Sequence, residues 1–379
     1  MRRIYLDNSA TSFPKAPGMA RAMYDYIENG TVNLYRTESN TSFDVFDKIY
    51  ELRENLASLY NSDSPEAIGF TKNVTEALNW IIKGILTESD HVIVSSNEHN
   101  AVMRPLVQMG IPFTRIPSNT HGYNDYSSLE SLIRPNTKAM IINPAGNVSG
   151  AIQDLTCPAE FAKKHNLMLF IDSAQASPFV NIDMQELNIA GVAFTGHKGF
   201  LGPQGIGGFV LRKEIAKTLP PLIAGGTGSE SDKETIPTTL PERLSPGTEN
   251  IPGMIGLAHS VKYVLQNKEE LKANAMKKTL SLIDGISDIK GLELKGAGRD
   301  EKRTSVISLT SDKLDIAYIS RELLERAGIE NRVGLHCAPS AHKSIGTFPT
   351  GTLRLSPGPF TTDEEIEITI KTLKDILDE

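Results

Sequence analysis

Leu167-Met168-Leu169-Phe170-Ile171-Asp172-Ser173-Ala174-Gln175 and, further on, Val192-Ala193-Phe194-Thr195-Gly196-His197-Lys198 decide the fold of this chain. Each is a short, near-continuous apolar run that ends in polar, chemically able side chains. Apolar residues at every position, rather than at every second one, mark a strand covered on both faces, as in parallel sheets. Working outward, the same kind of run recurs at Ile68-Gly69-Phe70, His91 to Ser95, Phe113 to Ile116, Ala139 to Ile142 and Gly208 to Leu211. Helical patterns fall between them, including Thr75 to Leu86 and a helix entered near Pro158. This alternation predicts an α/β fold with a large, mainly parallel sheet of seven-stranded type. In such sheets ligands sit outside the carboxyl ends of the strands.

Past Leu211 the character changes. Leu219-Pro220-Pro221 and Gly225-Gly226-Thr227-Gly228-Ser229 lead into a polar stretch running to about Glu249. A Gly-rich loop can cradle phosphate, but no strand feeds this one and no Gly-Lys-Ser/Thr follows it, so it reads as a flexible loop. Gly253 to Ser287 reads as one long helical stretch linking two domains. Leu292 to Glu379 reads as a smaller α+β domain closing with the helix Thr362 to Leu377, whose Asp363-Glu364-Glu365 suits the positive end of the helix dipole. The expected division is a large domain over 14–255 and a small one made of 1–13 plus 256–379.

The chain has 379 residues, 39% hydrophobic and 22% charged, with net charge -7 and no internal repeat. An acidic surface argues against nucleic acid as a partner. Met1-Arg2-Arg3 is not followed by an apolar run of signal-peptide length, and no stretch reaches membrane-spanning length, so a cytoplasmic protein with no membrane partner is expected. Two cysteines, Cys157 and Cys337, cannot build a disulfide framework, and no Cys/His spacing suggests a metal. Cys157 reads as an inert thiol.

Several polar groups fall where strands end. Asp172 closes one strand, Thr195-Gly196-His197-Lys198 another, and Glu98-His99-Asn100 and Asn143 to Asn147 follow two more. Taken singly, such an aspartate is ordinarily a turn or cap residue and such a lysine a solvated one. Their common location on one rim changes their meaning. Pyridoxal 5′-phosphate (PLP) needs a lysine amine for a Schiff base, a carboxylate for its ring nitrogen, donors for its phosphate and a flat group over its ring. Lys198, Asp172, Thr195 and His99 suit those tasks in kind, and Asn73-Val74-Thr75 at a helix start adds backbone N–H groups and a hydroxyl for an anion. A nucleotide-binding α/β protein without PLP is the alternative from another class, but the first strand-to-helix turns lack G-x-G-x-x-G and G-x-x-x-x-G-K-[ST].

Asp172-x-x-Gln175 followed by Thr195-Gly196-His197-Lys198 resembles the cofactor signature of the class V aminotransferase superfamily, PLP fold type I. Tyr5-Leu6-Asp7-Asn8-Ser9-Ala10-Thr11, Thr75-Glu76-Ala77-Leu78-Asn79, Glu98-His99, Asn147, Gly247-Thr248-Glu249-Asn250 and Gly351-Thr352-Leu353-Arg354-Leu355-Ser356 extend the likeness along nearly the whole chain. Arg332-Val333-Gly334-Leu335-His336-Cys337-Ala338 is similar to the cysteine desulfurases within it. The resemblance implies that Lys198 carries the cofactor, Asp172 pairs with its ring nitrogen, Gln175 bonds its phenolic oxygen and His99 stacks on the ring. It implies that Val74, Thr75, Thr195 and His197 hold the phosphate, with Thr248 reaching in from the other subunit of a homodimer. It places Asn147, Arg354, Arg332 and His336 around the substrate, Arg354 gripping its carboxylate, and makes Cys337 the sulfur-accepting thiol.

The expected reaction converts L-cysteine to L-alanine and leaves a persulfide on Cys337 for a sulfur-acceptor protein. Selenocysteine lyase, another class V lyase or an aminotransferase would use many of the same residues. Val74 stands where many members carry a small or hydroxyl residue, so it offers only its backbone N–H. Either His99 or His336 is placed to manage the proton of the substrate thiol.

Overall fold

The structure is a computed structural model that describes residues 3–32 and 40–378; Met1, Arg2 and Glu379, included in the readings above, lie outside the described residues. A two-residue strand, β1 (Ile4–Tyr5), opens the chain. The large sheet is built from β2 (Ile68–Thr71), β3 (His91–Val94), β4 (Phe113–Arg115), β5 (Thr137–Ile142), β6 (Met168–Asp172), β7 (Ile189–Thr195) and β8 (Gly207–Leu211). Its order is β2-β8-β7-β6-β5-β3-β4. The pairs from β4 through β3, β5 and β6 to β7 are parallel, and β8 runs antiparallel to both β7 and β2.

The strand sequences explain why this sheet is covered on both sides. Successive residues point to opposite faces. Ile93, Met140, Ile142, Leu169, Ile171 and Val192 join one apolar cluster, while Val92, Val94, Ile141, Phe170 and Ala193 join another across the sheet. Burying each large side chain of these layers contributes about 1.5–3 kcal/mol.

A second sheet, ordered β12-β13-β10-β9, is antiparallel and comprises β9 (Leu292–Lys295), β10 (Ile307–Ser311), β12 (Arg332–Gly334) and β13 (Thr352–Leu355). The short β11 (Ile329–Glu330) pairs in parallel with β1, so Ile4 and Leu6 pack in the cluster of Ile307, Leu353 and Leu373. The chain start thus belongs with the C-terminal layer.

The stretch expected as one helix over 253–287 is two, Ile251–Gln266 and Lys268–Ser287, broken at Asn267. The Asn267 side chain donates to the Tyr263 carbonyl at 2.7 Å and so caps the end of the first helix. The helix expected near Pro158 begins earlier, over Thr156–Lys164, because Asp154 accepts the Thr156 N–H at 3.1 Å. The loop 225–249 is irregular but not free throughout: it contains a single turn, Glu242–Leu244, and Leu244 is buried. The last helix, Asp363–Asp378, opens with a reciprocal capping box between Thr362 and Glu365.

Candidate active site

Strand register brings the polar strand ends to one edge. Thr71 lies opposite Gly207 and Gly207 opposite Thr195, while Asp172 lies beside Ala193. The helix Val74–Ile85 starts over this row, with Asn73 accepting the Glu76 N–H at 3.0 Å and Glu76 accepting the Lys72 N–H at 2.8 Å. Gly207 makes the approach close. A Cβ there would come within 2.8 Å of the Phe194 carbonyl and 3.0 Å of Asn73 Cα. The N–H groups of Val74 and Thr75 belong to the helix's first turn, where no intrahelical acceptor exists. On the same row the Thr195 hydroxyl and His197 Nδ1 are buried without partners. Free N–H groups at a helix start and unpartnered polar atoms together make a place for an anion.

Asp172 is 2% exposed and accepts the Ala174 N–H at 3.0 Å; burial pushes its pKa up, against the pull of Lys198. Lys198 follows β7 and is half-buried, yet its ammonium sits deep among protein atoms. That desolvation pushes its pKa down to about 8, with Asp172 opposing. His99 caps the helix Asn100–Gln108 through Nδ1, which accepts the Ala101 N–H at 3.0 Å. With Nδ1 an acceptor, the neutral ring carries its proton on Nε2. Burial, then the charge of Lys198, holds its pKa near 4, so the ring is neutral at ordinary pH. Gln175 donates to the Ser9 carbonyl at 2.8 Å.

The second sheet delivers Arg354, on β13, to the same place. It is 1% exposed, pairs through Nη2 with Asp7 Oδ1 at 2.6 Å and donates through Nη1 to the Asn147 carbonyl at 3.3 Å. Its Nε is buried without a partner, as is Asn147 Oδ1. Arg332 lies across from Arg354 in register but is exposed.

Beyond β12 the chain turns through His336 and Cys337, both left-handed, with φ 46° and 59°. The His336 carbonyl accepts Asn147 Nδ2 at 2.8 Å and the Cys337 carbonyl accepts the Asn100 N–H at 2.8 Å. The Cys337 thiol is therefore exposed on a loop pinned beside His99. The His336 ring is buried, with Nε2 3.2 Å from both the Thr352 carbonyl and hydroxyl. Burial and the charge of Arg354 hold its pKa near 3. A ring that donates Nε2–H to a carbonyl carries a bare Nδ1. Thr248 stands apart, exposed on the loop before the helix Ile251–Gln266.

Three residues given no role by the sequence reading join this site. Asp7 anchors Arg354. Lys15 donates to the Thr11 and Ser12 hydroxyls and to the His197 carbonyl, and burial pushes its pKa down to about 8. Glu98 is fully buried, accepting from Ser95 Oγ at 2.6 Å and the Asn143 N–H at 2.8 Å. Burial first, then the charge of Asp172, raises its pKa to about 8. Asp7 and Glu98 sat inside quoted motifs, but nothing local marks Lys15, whose partners lie across the fold. Among the described residues no cluster of three or more His, Cys, Asp or Glu is placed to hold a metal, and no helix is long and apolar enough to cross a membrane.

Comparison with known proteins agrees with this architecture. Relatives of similar length include a probable cysteine desulfurase of Methanothermobacter thermautotrophicus, 29% identical over 98% of this chain and 94% of that protein. The cysteine desulfurase CsdA of Escherichia coli is 27% identical over 98% of this chain and 93% of its own length. The solved apo structure of a cysteine desulfurase from Thermococcus onnurineus superposes with a TM-score of 0.90 at 26% identity, over 99% of this chain and 95% of that one. The profile of the aminotransferase class-V family matches residues 4–368, from β1 into the last helix, and the chain belongs to that family.

Proposed function

We propose that this protein is a PLP-dependent cysteine desulfurase that converts L-cysteine to L-alanine and takes the sulfur onto Cys337 as a persulfide. One observation carries the proposal beyond the family: the exposed Cys337 sits on a loop tied by hydrogen bonds to Asn100, the residue after His99, and to Asn147, whose own carbonyl accepts from Arg354. The desulfurase names of the relatives point the same way.

The residues present fit PLP. A buried carboxylate, Asp172, has a backbone N–H for company and suits a protonated ring nitrogen. The buried Thr195 hydroxyl and His197 Nδ1 lack partners, and a phosphate between them and the Val74–Thr75 turn would supply acceptors. When bound, PLP supplies a conjugated ring that takes up the electron pair left as a proton leaves the substrate Cα. Lys198 is the residue that would hold the cofactor covalently, and its Nζ would take that proton. Asp172 would keep the ring nitrogen protonated, Gln175 would serve the phenolic oxygen, and His99 would pack on the ring with Nε2–H as a donor. Arg354 and Asn147 hold the substrate carboxylate, Arg332 adds positive charge beside them, and either His99 or His336 manages the proton of the substrate thiol. Cys337 Sγ then bonds to the substrate sulfur as the Cβ–S bond breaks. That electron pair stays with the organic fragment, which gains a proton at Cβ, takes back at Cα the proton that Lys198 Nζ holds, and leaves as alanine.

A homodimer in which Thr248 completes the neighbouring phosphate site is part of the proposal. Its support is the exposure of Thr248 and of apolar side chains such as Ile27 (58%) and Phe43 (60%), which a second copy would cover. Residues 14–255 form the cofactor-holding domain and 1–13 with 256–379 the smaller one; a protein with an accessible thiol is the acceptor for the persulfide.

The test is mass spectrometry of the holoenzyme after exposure to L-cysteine. The gain of one sulfur atom on Cys337, with alanine released in step, is expected; alanine without sulfur on that peptide overturns the proposal. Running L-selenocysteine alongside measures the preference between the two substrates.

The ionisation of Lys198 gives a separate expectation. Its amine must be neutral to capture PLP. As the pH rises towards about 8, the neutral fraction grows about tenfold per pH unit, and above that value it levels. The rate of PLP uptake by apoprotein, followed by visible absorbance, should rise and level in the same way. A rate still climbing well beyond that value would place Lys198 among ordinary exposed lysines.

A further inference from the structure

We infer that Asp7 is a positioning residue for recognition of the substrate carboxylate: it holds the Arg354 guanidinium by one corner and leaves its other donors to the amino acid. The inference rests on the desulfurase proposal for the role of Arg354. It starts from the cost of burying a guanidinium, which is severe without a counter-charge. Arg354 is 1% exposed, and among the described residues Asp7 is the carboxylate that meets it.

Asp7 is itself fixed by the fold. It bridges to Ser356, two positions along from Arg354, and the Ser356 N–H donates to the Leu6 carbonyl at 2.7 Å. The Ser9 N–H donates to Ser356 Oγ at 3.0 Å, and Tyr5 Oη closes the following turn by donating to the Thr11 carbonyl at 2.8 Å. The same segment then reaches the cofactor side. The Ser9 carbonyl accepts Gln175, and the His197 carbonyl, one residue before Lys198, accepts from Ser12 N–H, the Thr11 and Ser12 hydroxyls and Lys15. One short strap therefore sets Arg354 relative to Lys198.

The manner of the contact separates an orienting role from a competing one. A carboxylate that blocked the guanidinium would face it with two parallel bonds. Asp7 instead contacts Nη2 through Oδ1 alone, Nη1 makes only a 3.3 Å bond to the Asn147 carbonyl, and Nε is left with no partner. The guanidinium is thus neutralised and held at one corner with donors to spare, which lowers what must be ordered when substrate arrives.

The experiment uses the holoenzyme with Asp7→Ala and Asp7→Asn, each also combined with Arg354→Ala. L-alanine binding is read from the visible absorbance, and KM and kcat from L-cysteine turnover. Asp7→Ala should weaken L-alanine binding and raise KM roughly tenfold or more, as for loss of a charge-assisted hydrogen bond, while kcat changes less than about threefold. Asp7→Asn keeps an acceptor of the same shape and should fall between Asp7→Ala and wild type. In the Arg354→Ala background neither substitution should weaken L-alanine binding further. Tighter binding in Asp7→Ala overturns the inference in favour of a competing carboxylate, and an equal loss without Arg354 reduces Asp7 to a structural role. Should Asp7→Ala fail to fold, Asp7→Asn decides, and wild-type affinity in that variant also overturns the inference. A wild-type holoenzyme that responds to neither amino acid overturns the functional proposal itself, a result distinct from variants that match a responsive wild type.

Discussion

Replacing Lys198 by alanine is expected to lower alanine formation from L-cysteine by on the order of 10⁴-fold, because one amine performs two tasks. It anchors the cofactor and takes the Cα proton, and no other described residue of the site is equipped for either. Lys15, the other lysine with a depressed pKa, spends its donors on Thr11, Ser12 and the His197 carbonyl. Lys198→Arg keeps the charge but should be as inactive, since a guanidinium neither forms the covalent link nor loses its proton near neutral pH. Borohydride trapping gives a readout independent of turnover. In wild type the label should stay on the peptide holding residue 198, and in either variant it should be lost from it. A variant retaining a tenth of the wild-type rate would remove Lys198 from its assigned place.

Cys337→Ala should separate sulfur transfer from everything upstream of it. With the attacking thiolate gone, alanine formation from L-cysteine is expected to fall by about 10²–10³-fold, while visible absorbance and L-alanine affinity stay at wild-type values. The local backbone makes that comparison clean. Cys337 sits at φ 59°, and alanine at that position meets the same left-handed penalty as cysteine, so the pinned loop should keep its shape. Its anchors are the carbonyls of His336 and Cys337, which the substitution leaves in place. Alanine and sulfide released at the wild-type rate would mean that the substrate C–S bond breaks without Cys337, and the persulfide proposal would fall.

The large sheet was legible because its signal is local. Apolar runs such as Leu167 to Ile171 and Val192 to Phe194 mark strands buried on both faces, and the structure extends or trims them by a few residues. Legibility failed where a break leaves helix-forming residues on both sides. Val264 and Leu271 lie two helical turns apart across the polar run Gln266 to Glu270, so two helices read as one until the capping bond to Tyr263 is seen. It failed again at 225–249, where composition suggests mobility and the structure buries Leu244 within a turn.

For Lys198, Asp172 and Thr195, the sequence by itself determined the chemistry on offer, because each ends a strand or closely follows one and parallel strands bring their carboxyl ends to one edge. It also supplied Cys337, through a motif whose meaning came from resemblance and not from spacing. Only the tertiary structure decided which of these groups meet and in what ionisation state. Asp7 and Arg354 are 347 positions apart, and they meet because β1 crosses to pair with β11 in the C-terminal layer. Neutral His99 and the depressed amine of Lys198 are likewise products of burial. Desolvation depends on everything packed around a group, which no local stretch of sequence contains.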